Sequence, residues 1–156
     1  MIAQPNIQAQ SNQPTHAMGR VITPVTVENL KDLLDVREGK LRDDQVRRAA
    51  VAEALVDTGA RSLALPTSLI QQLGLTKMST RPVMTSKGPS LSDTYAAVRL
   101  TIQGRDCTLD VTEVPDGVPV LIGQVPLELL DFVVDPKSQR LVGDPWHGGE
   151  HVLDMY

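Results

Sequence analysis

The sequence is poor in aromatic residues: Tyr95, Phe132, Trp146 and Tyr156 are the whole complement in 156 positions. It also lacks a surplus of positive charge, since 15 lysines and arginines against 19 acids leave a net charge of −4. A nucleic-acid surface needs a basic field and usually aromatic platforms for bases, so nucleic acid is excluded as a partner. A single cysteine, Cys107, rules out an internal disulfide. No stretch approaches the ~18 consecutive apolar residues of a membrane span, so no membrane partner is expected. The first twenty residues carry neither the basic start nor the apolar run of an export signal, which gives a cytoplasmic location as the expectation. Neither the Walker nor the dinucleotide glycine pattern occurs, and no cofactor is expected.

What the sequence has is an ordinary globular balance, 41% hydrophobic against 22% charged residues, in a chain of one-domain length. A chain of this size buries roughly 68–70% of its unfolded surface, enough for a core without metal or disulfide staples. Residues 1–19, rich in Gln, Asn, Ser and Pro without apolar periodicity, read as a disordered tail, and Met18-Gly19 offers an alternative start. Residues 20–156 read as a single domain, with 143–156 as a C-terminal extension.

Val21, Thr23, Val25 and Val27 alternate with outward-facing positions, the pattern of a half-buried strand, and Pro24 assigns that strand to a sheet edge. The charged stretch Lys31 to Asp44 reads as a surface excursion, and the mixed charges from Arg37 to Arg48 as a solvated face. Val46 to Val56 is ambiguous between helix and strand. Leu63 to Leu65 leads into Pro66 and a short helix that stops at Gly74. Strand-like runs follow at Arg81 to Thr85, Ala96 to Ile102, Cys107 to Val111 and Val118 to Gly123, with turns at 86–89 and 115–117. A second short helix spans Val125 to Leu130, and a hairpin joins Phe132–Asp135 to Arg140–Val142. Strands every eight to twelve residues with two short helices predict a mostly antiparallel β domain, a small closed or nearly closed barrel.

The first residues with chemistry in them are Asp57-Thr58-Gly59-Ala60, directly after the apolar Ala54-Leu55-Val56. This order puts a carboxylate at the mouth of a strand, with a hydroxyl beside it and a bare backbone that lets a substrate come close. By itself the triplet is weak, because it arises by accident in roughly a few per cent of chains this long. The second motif is Val120-Leu121-Ile122-Gly123, sixty-six positions beyond Asp57 and followed at once by the helix around Pro126.

Together these motifs resemble the retropepsin-like aspartic proteases, including the small single-domain bacterial relatives of the viral enzymes. The resemblance covers about residues 20 to 142 and implies a small closed acid-protease-like barrel with a flap hairpin and one or two short helices. It also decides the ambiguous stretch before Asp57 in favour of a strand. It implies Asp57 as the catalytic acid of an aspartic endopeptidase, with Thr58 and Gly59 as support. Ala60, Arg61 and the flap residues Thr85, Ser86, Lys87 and Gly88 are the implied substrate contacts. Two positions depart from the viral pattern: Arg61 replaces an acid, and Gln124 stands where Arg is common.

One Asp-Thr-Gly per chain sets the stoichiometry. The mechanism needs two facing carboxylates, so the resemblance implies a homodimer with a peptide or protein as substrate. A different class stays open beside it, a retropepsin-shaped binding or assembly module with little turnover, because the flap lacks the multiple glycines of the viral one.

At the far end, His147-Gly148-Gly149-Glu150-His151 fits H-x-x-E-H, a zinc-protease pattern that works on a helix. Gly148-Gly149 costs a helix roughly 1 kcal/mol per residue, so no metal is expected and Val152 to Tyr156 reads as a terminal strand. Cys107 reads as a small buried hydrophobe rather than a nucleophile.

Overall fold

The computed structural model describes residues 20–153; the tail read at 1–19 and the last three residues of the expected terminal strand lie outside them. Val21, Thr23, Val25 and Val27 are buried while Ile22 and Pro24 face out, so the alternation in the sequence is the alternation of the first strand, β1 (Ile22–Asn29). The further strands are β2 (Arg48–Val56), β3 (Leu63–Pro66), β4 (Lys77–Thr85), β5 (Gly88–Ile102), β6 (Arg105–Val114), β7 (Leu121–Ile122), β8 (Phe132–Asp135) and β9 (Arg140–Gly143). Three helices lie between them, α1 (Leu30–Arg37), α2 (Thr67–Leu73) and α3 (Gln124–Leu129).

The main sheet runs β1-β2-β7-β3-β6-β5-β4, and β1 also pairs with β5. That extra pairing closes six strands into a barrel and leaves β4 outside as an edge. Most pairings are antiparallel, but β2–β7 and β3–β6 are parallel. The barrel is filled by Val25, Val27, Leu63, Leu65, Val98, Leu100, Ile102, Val111 and Ile122, with Ile70 and Leu73 of α2 and Leu127 of α3 packed against it. α2 ends where expected, with Gly74 in the left-handed conformation (φ 63°) that a side chain disfavours. Strand β2 takes the ambiguous stretch before Asp57, as the resemblance required.

Four expectations need correction. The excursion from Lys31 to Asp44 contains α1 and a 3₁₀ turn at Asp43–Gln45. Helix α1 carries Leu30, Leu33 and Leu34 at helical spacing, but none of them is fully buried, and its one buried residue is Asp32. It is fixed by polar pins instead. Asn29 accepts from Asp32 N–H and donates to the Leu73 carbonyl at 2.8 Å, and Arg47 reaches Asp32 with both Nε (2.9 Å) and Nη2 (3.0 Å).

The same contacts correct the reading of Arg37 to Arg48 as a merely solvated face. Arg47 holds Asp32, while Arg48 and Arg99 both hold the buried Glu28. Third, β1 is an edge only in its first half: residues 22–25, Pro24 among them, have β2 alone beside them, whereas residues 26–28 are flanked by β2 and β5 together. Pro24 is tolerated because it sits at the register shift between Thr23 and Val25, where the ladder is already interrupted. Fourth, Val152 and Leu153 are irregular rather than strand.

Candidate active site

Asp57 follows directly on β2, and the two residues before it fix its place. Leu55 and Val56 pair in parallel with Leu121 and Ile122 of β7, while the other edge of β7 pairs with Leu63 and Ala64 of β3. β7 is therefore threaded between the strand that enters the Asp57 loop and the strand that leaves it. The Asp57 N–H continues this ladder by donating to the Ile122 carbonyl at 2.9 Å.

The loop closes through its own backbone. Ala60 N–H donates to the Asp57 carbonyl (3.0 Å), and Gly59 N–H donates to Asp57 Oδ1 (3.0 Å), which orients the carboxylate. Gly59 matters here because a Cβ at that position would meet Asp57 Oδ1 at 3.2 Å. Thr58 is exposed beside it, and Asp57 is half-buried.

Behind the loop lies the second motif. Gly123 N–H donates to the Ser62 carbonyl (3.0 Å), Gln124 N–H to the Ala60 carbonyl (2.9 Å) and Val125 N–H to the Arg61 carbonyl (2.9 Å). The first turn of α3 thus has its otherwise unpaired N–H groups satisfied by the loop that carries the acid. Contact at Gly123 is so close that a Cβ there would lie 2.6 Å from both the Arg61 carbonyl carbon and the Ser62 carbonyl oxygen. The glycine that ends the second apolar run is a steric requirement. Ala60 and Arg61, expected as substrate contacts, lend their carbonyls to this support, while the Arg61 side chain is exposed.

Ser62 and Thr112 add a support that the sequence did not reveal. Their hydroxyls meet at 3.0 Å between the loop and β6. Two small polar residues fifty positions apart carry no local signal of such a pairing.

The four flap residues fall at one tip. Thr85 pairs with Gly88 across a two-residue turn of Ser86 and Lys87, so the strand resumes at Gly88, earlier than the turn read at 86–89. Thr85 Oγ1 donates to the Gly88 carbonyl (2.8 Å) and accepts from Lys87 N–H (3.2 Å). Among the described residues no hydrogen bond or ion pair joins this tip to residues 57–61. Along the arm Met78, Met84 and Leu91 are exposed, Met84 to 77%.

The H-x-x-E-H segment is not a helix. Its first histidine ends a 3₁₀ turn, Pro145–His147, and His151 Nε2 donates to the Leu129 carbonyl at 3.2 Å. Cys107 is half-buried on β6, and burial pushes its thiol up to about 11, far from a thiolate at neutral pH. No helix among the described residues is long and apolar enough to cross a membrane.

The sequence model of a family described as aspartyl protease matches residues 39–125. This span runs from the end of α1 through the Asp57 loop, the β4–β5 hairpin and Gly123 to the first turn of α3. No curated protein matches the chain.

Proposed function

The chain belongs to the aspartyl protease family, and from that premise we propose that it is an aspartic endopeptidase whose active form is a homodimer with the two copies of Asp57 face to face. The observation that carries this reading is the mounting of Asp57. A half-buried carboxylate, oriented by Gly59 N–H, stands on a loop braced from behind by the Gly123 segment. Each chain supplies one such acid.

Two carboxylates at close range do not both ionise, an effect for which aspartic proteases are the standard example. The ionised member takes a proton from a water held between them, and that water attacks the peptide carbonyl. The protonated member donates to the oxyanion as it forms, so no covalent intermediate arises. Thr58, exposed next to Asp57, braces its counterpart across the twofold axis, and Gly59 leaves room for the substrate backbone. The hairpin tip Thr85 to Gly88 closes over the peptide and excludes water, with Ala60 and Arg61 at the floor of the cleft.

The test has two parts. Solution mass measurement should give a dimer. An unfolded mixed-protein substrate should be cleaved by the wild type, in a manner blocked by a pepstatin-like inhibitor, and left intact by Asp57→Asn. Cleavage retained in that variant refutes the reading. Peptide binding without cleavage by the wild type would instead establish the binding-module alternative.

A further inference from the structure

Away from Asp57, the β8–β9 hairpin gathers a second set of chemically able side chains. Phe132 pairs with Gly143 at the open end of this ladder, so the residues just outside it, Asp131 and Asp144, are neighbours, and Asp144 N–H donates to the Asp131 carbonyl at 3.1 Å. Asp144 then caps the 3₁₀ turn Pro145–His147 by accepting from Trp146 N–H (2.9 Å). One turn later the chain has swung back, and His147 Nδ1 lies 2.7 Å from Asp131 Oδ2. One carboxylate oxygen from each aspartate and one His147 nitrogen all lie within 4.8 Å of one another.

The electrostatics of this corner favour a cation. Asp131 is 8% exposed. A carboxylate so deeply placed is normally paired with a permanent cation or bound to a metal. Among the described residues no Lys or Arg forms an ion pair with Asp131 or Asp144. Arg105 comes to the same corner, but its guanidinium donates to the main-chain carbonyls of Leu130, Asp131 and Gly149 and stacks 4.5 Å over the Phe132 ring. The ion-pair partner of Asp131 is His147, which is charged only when protonated. Two aspartates and one histidine thus meet at this corner, with the charge of Arg105 also acting on Asp131.

We propose that Asp131, Asp144 and His147 form a binding site for a single divalent transition-metal ion, zinc being the best match to an imidazole-and-carboxylate donor set. Ligand bonds of about 2.0–2.2 Å in a tetrahedral array put donor atoms about 3.3 Å apart, so the His147–Asp131 contact opens by roughly half an ångström as the metal replaces the shared hydrogen. His151 is the candidate fourth ligand. Its Nε2 rests on the Leu129 carbonyl, and the next residue, Val152, donates its N–H to Asp131 Oδ2 at 3.0 Å. The role is structural, because the ion would tie residues 144–152 to the α3–β8 corner, remote in sequence from Asp57. The histidines of the H-x-x-E-H segment are thus used with the neighbouring Asp144 and the distant Asp131, and without a helix.

The test uses the full chain, stripped with a chelator and titrated with Co²⁺, then with Zn²⁺ in competition. One equivalent per chain should give a saturable visible absorption that Zn²⁺ abolishes, and Zn²⁺ should raise the melting temperature. Asp144→Asn and His147→Gln should each weaken binding by at least about tenfold, while Asp57→Asn should bind like the wild type. In the wild type itself, Co²⁺ should strongly shift the imidazole NMR signals of His147. No saturable absorption, unmoved His147 signals, affinity unchanged in both site variants, or binding lost in Asp57→Asn would each overturn the proposal.

Discussion

The Asp57 loop and the tip of the β4–β5 hairpin use much the same residues, Thr, Gly, Ser and a cation, yet they are built in opposite ways. The loop is held from outside itself, by Ile122 beneath Asp57 and by three N–H groups of residues 123–125 behind residues 60–62. The hairpin tip is held by its own two strands and a Thr85 hydroxyl. A Cβ added at Gly123, behind the loop, would collide with backbone at 2.6 Å; at Gly88 in the tip, with φ 108°, no atom of the described residues lies within 4 Å. The difference separates a loop anchored by other elements, as the proposed reacting acid requires, from an arm anchored only by its own two strands, as the proposed cover over a peptide requires.

The largest effect expected on either side of this contrast is chemical. Asp57→Asn should lower cleavage at least about 10³-fold while leaving the melting temperature near that of the wild type, because Asn Oδ1 still accepts from Gly59 N–H. Peptide turnover measured beside a thermal melt checks both halves.

Next in size is the mount itself. Gly123→Ala should destabilise the protein by about 3 kcal/mol or more, since backbone rather than a yielding side-chain end is in the way. Its counterpart Gly88→Ala should cost about 1 kcal/mol, from backbone conformation alone. Denaturant midpoints for the two variants compare them directly, and equal losses would break the contrast.

A third element calibrates both, because α1 is held by side chains. The Arg47 guanidinium beside Asp32 holds its carboxyl below the ordinary value of 3.8. A depressed carboxylate contributes stability that is complete above that ordinary value and is lost as pH falls through the lowered one. Asp32→Asn should therefore cost about 1–2 kcal/mol at neutral pH, discounted for the half-exposed Arg47, and should flatten the loss of stability in acid. Urea titrations at several pH values read this, and an unchanged acid slope would count against it. The smallest effect belongs to the arm: Met84→Ser with Leu91→Ser should move stability by less than about 0.5 kcal/mol and appear instead in KM.

The legibility of the sequence follows the same division. The Gly123 segment was readable because its apolar run ends at a glycine that sterics demand; β2, with only Ala49 and Ala54 buried, was ambiguous by pattern and was decided by the resemblance that Asp57-Thr58-Gly59 carries. α2 was readable from Pro66 and Gly74. α1 was not, since its buried residue is an aspartate whose partner lies fifteen positions away. The first half of β5, Gly88 to Asp93, is polar and pairs only with β4, so it carried no alternation to detect. The Ser62–Thr112 contact and the corner of Asp131, Asp144 and His147 depend on the finished topology.

Because the barrel shuts through β1 and β5, residues 80–93 form strand pairings, among the described residues, only with one another. An arm of another length or composition can be spliced in at that point without altering any pairing of the closed wall. On the function proposed above, swapping this stretch is accordingly the economical way to retarget the molecule, since the peptide cover becomes an exchangeable part while the acid and its mounting stay as they are.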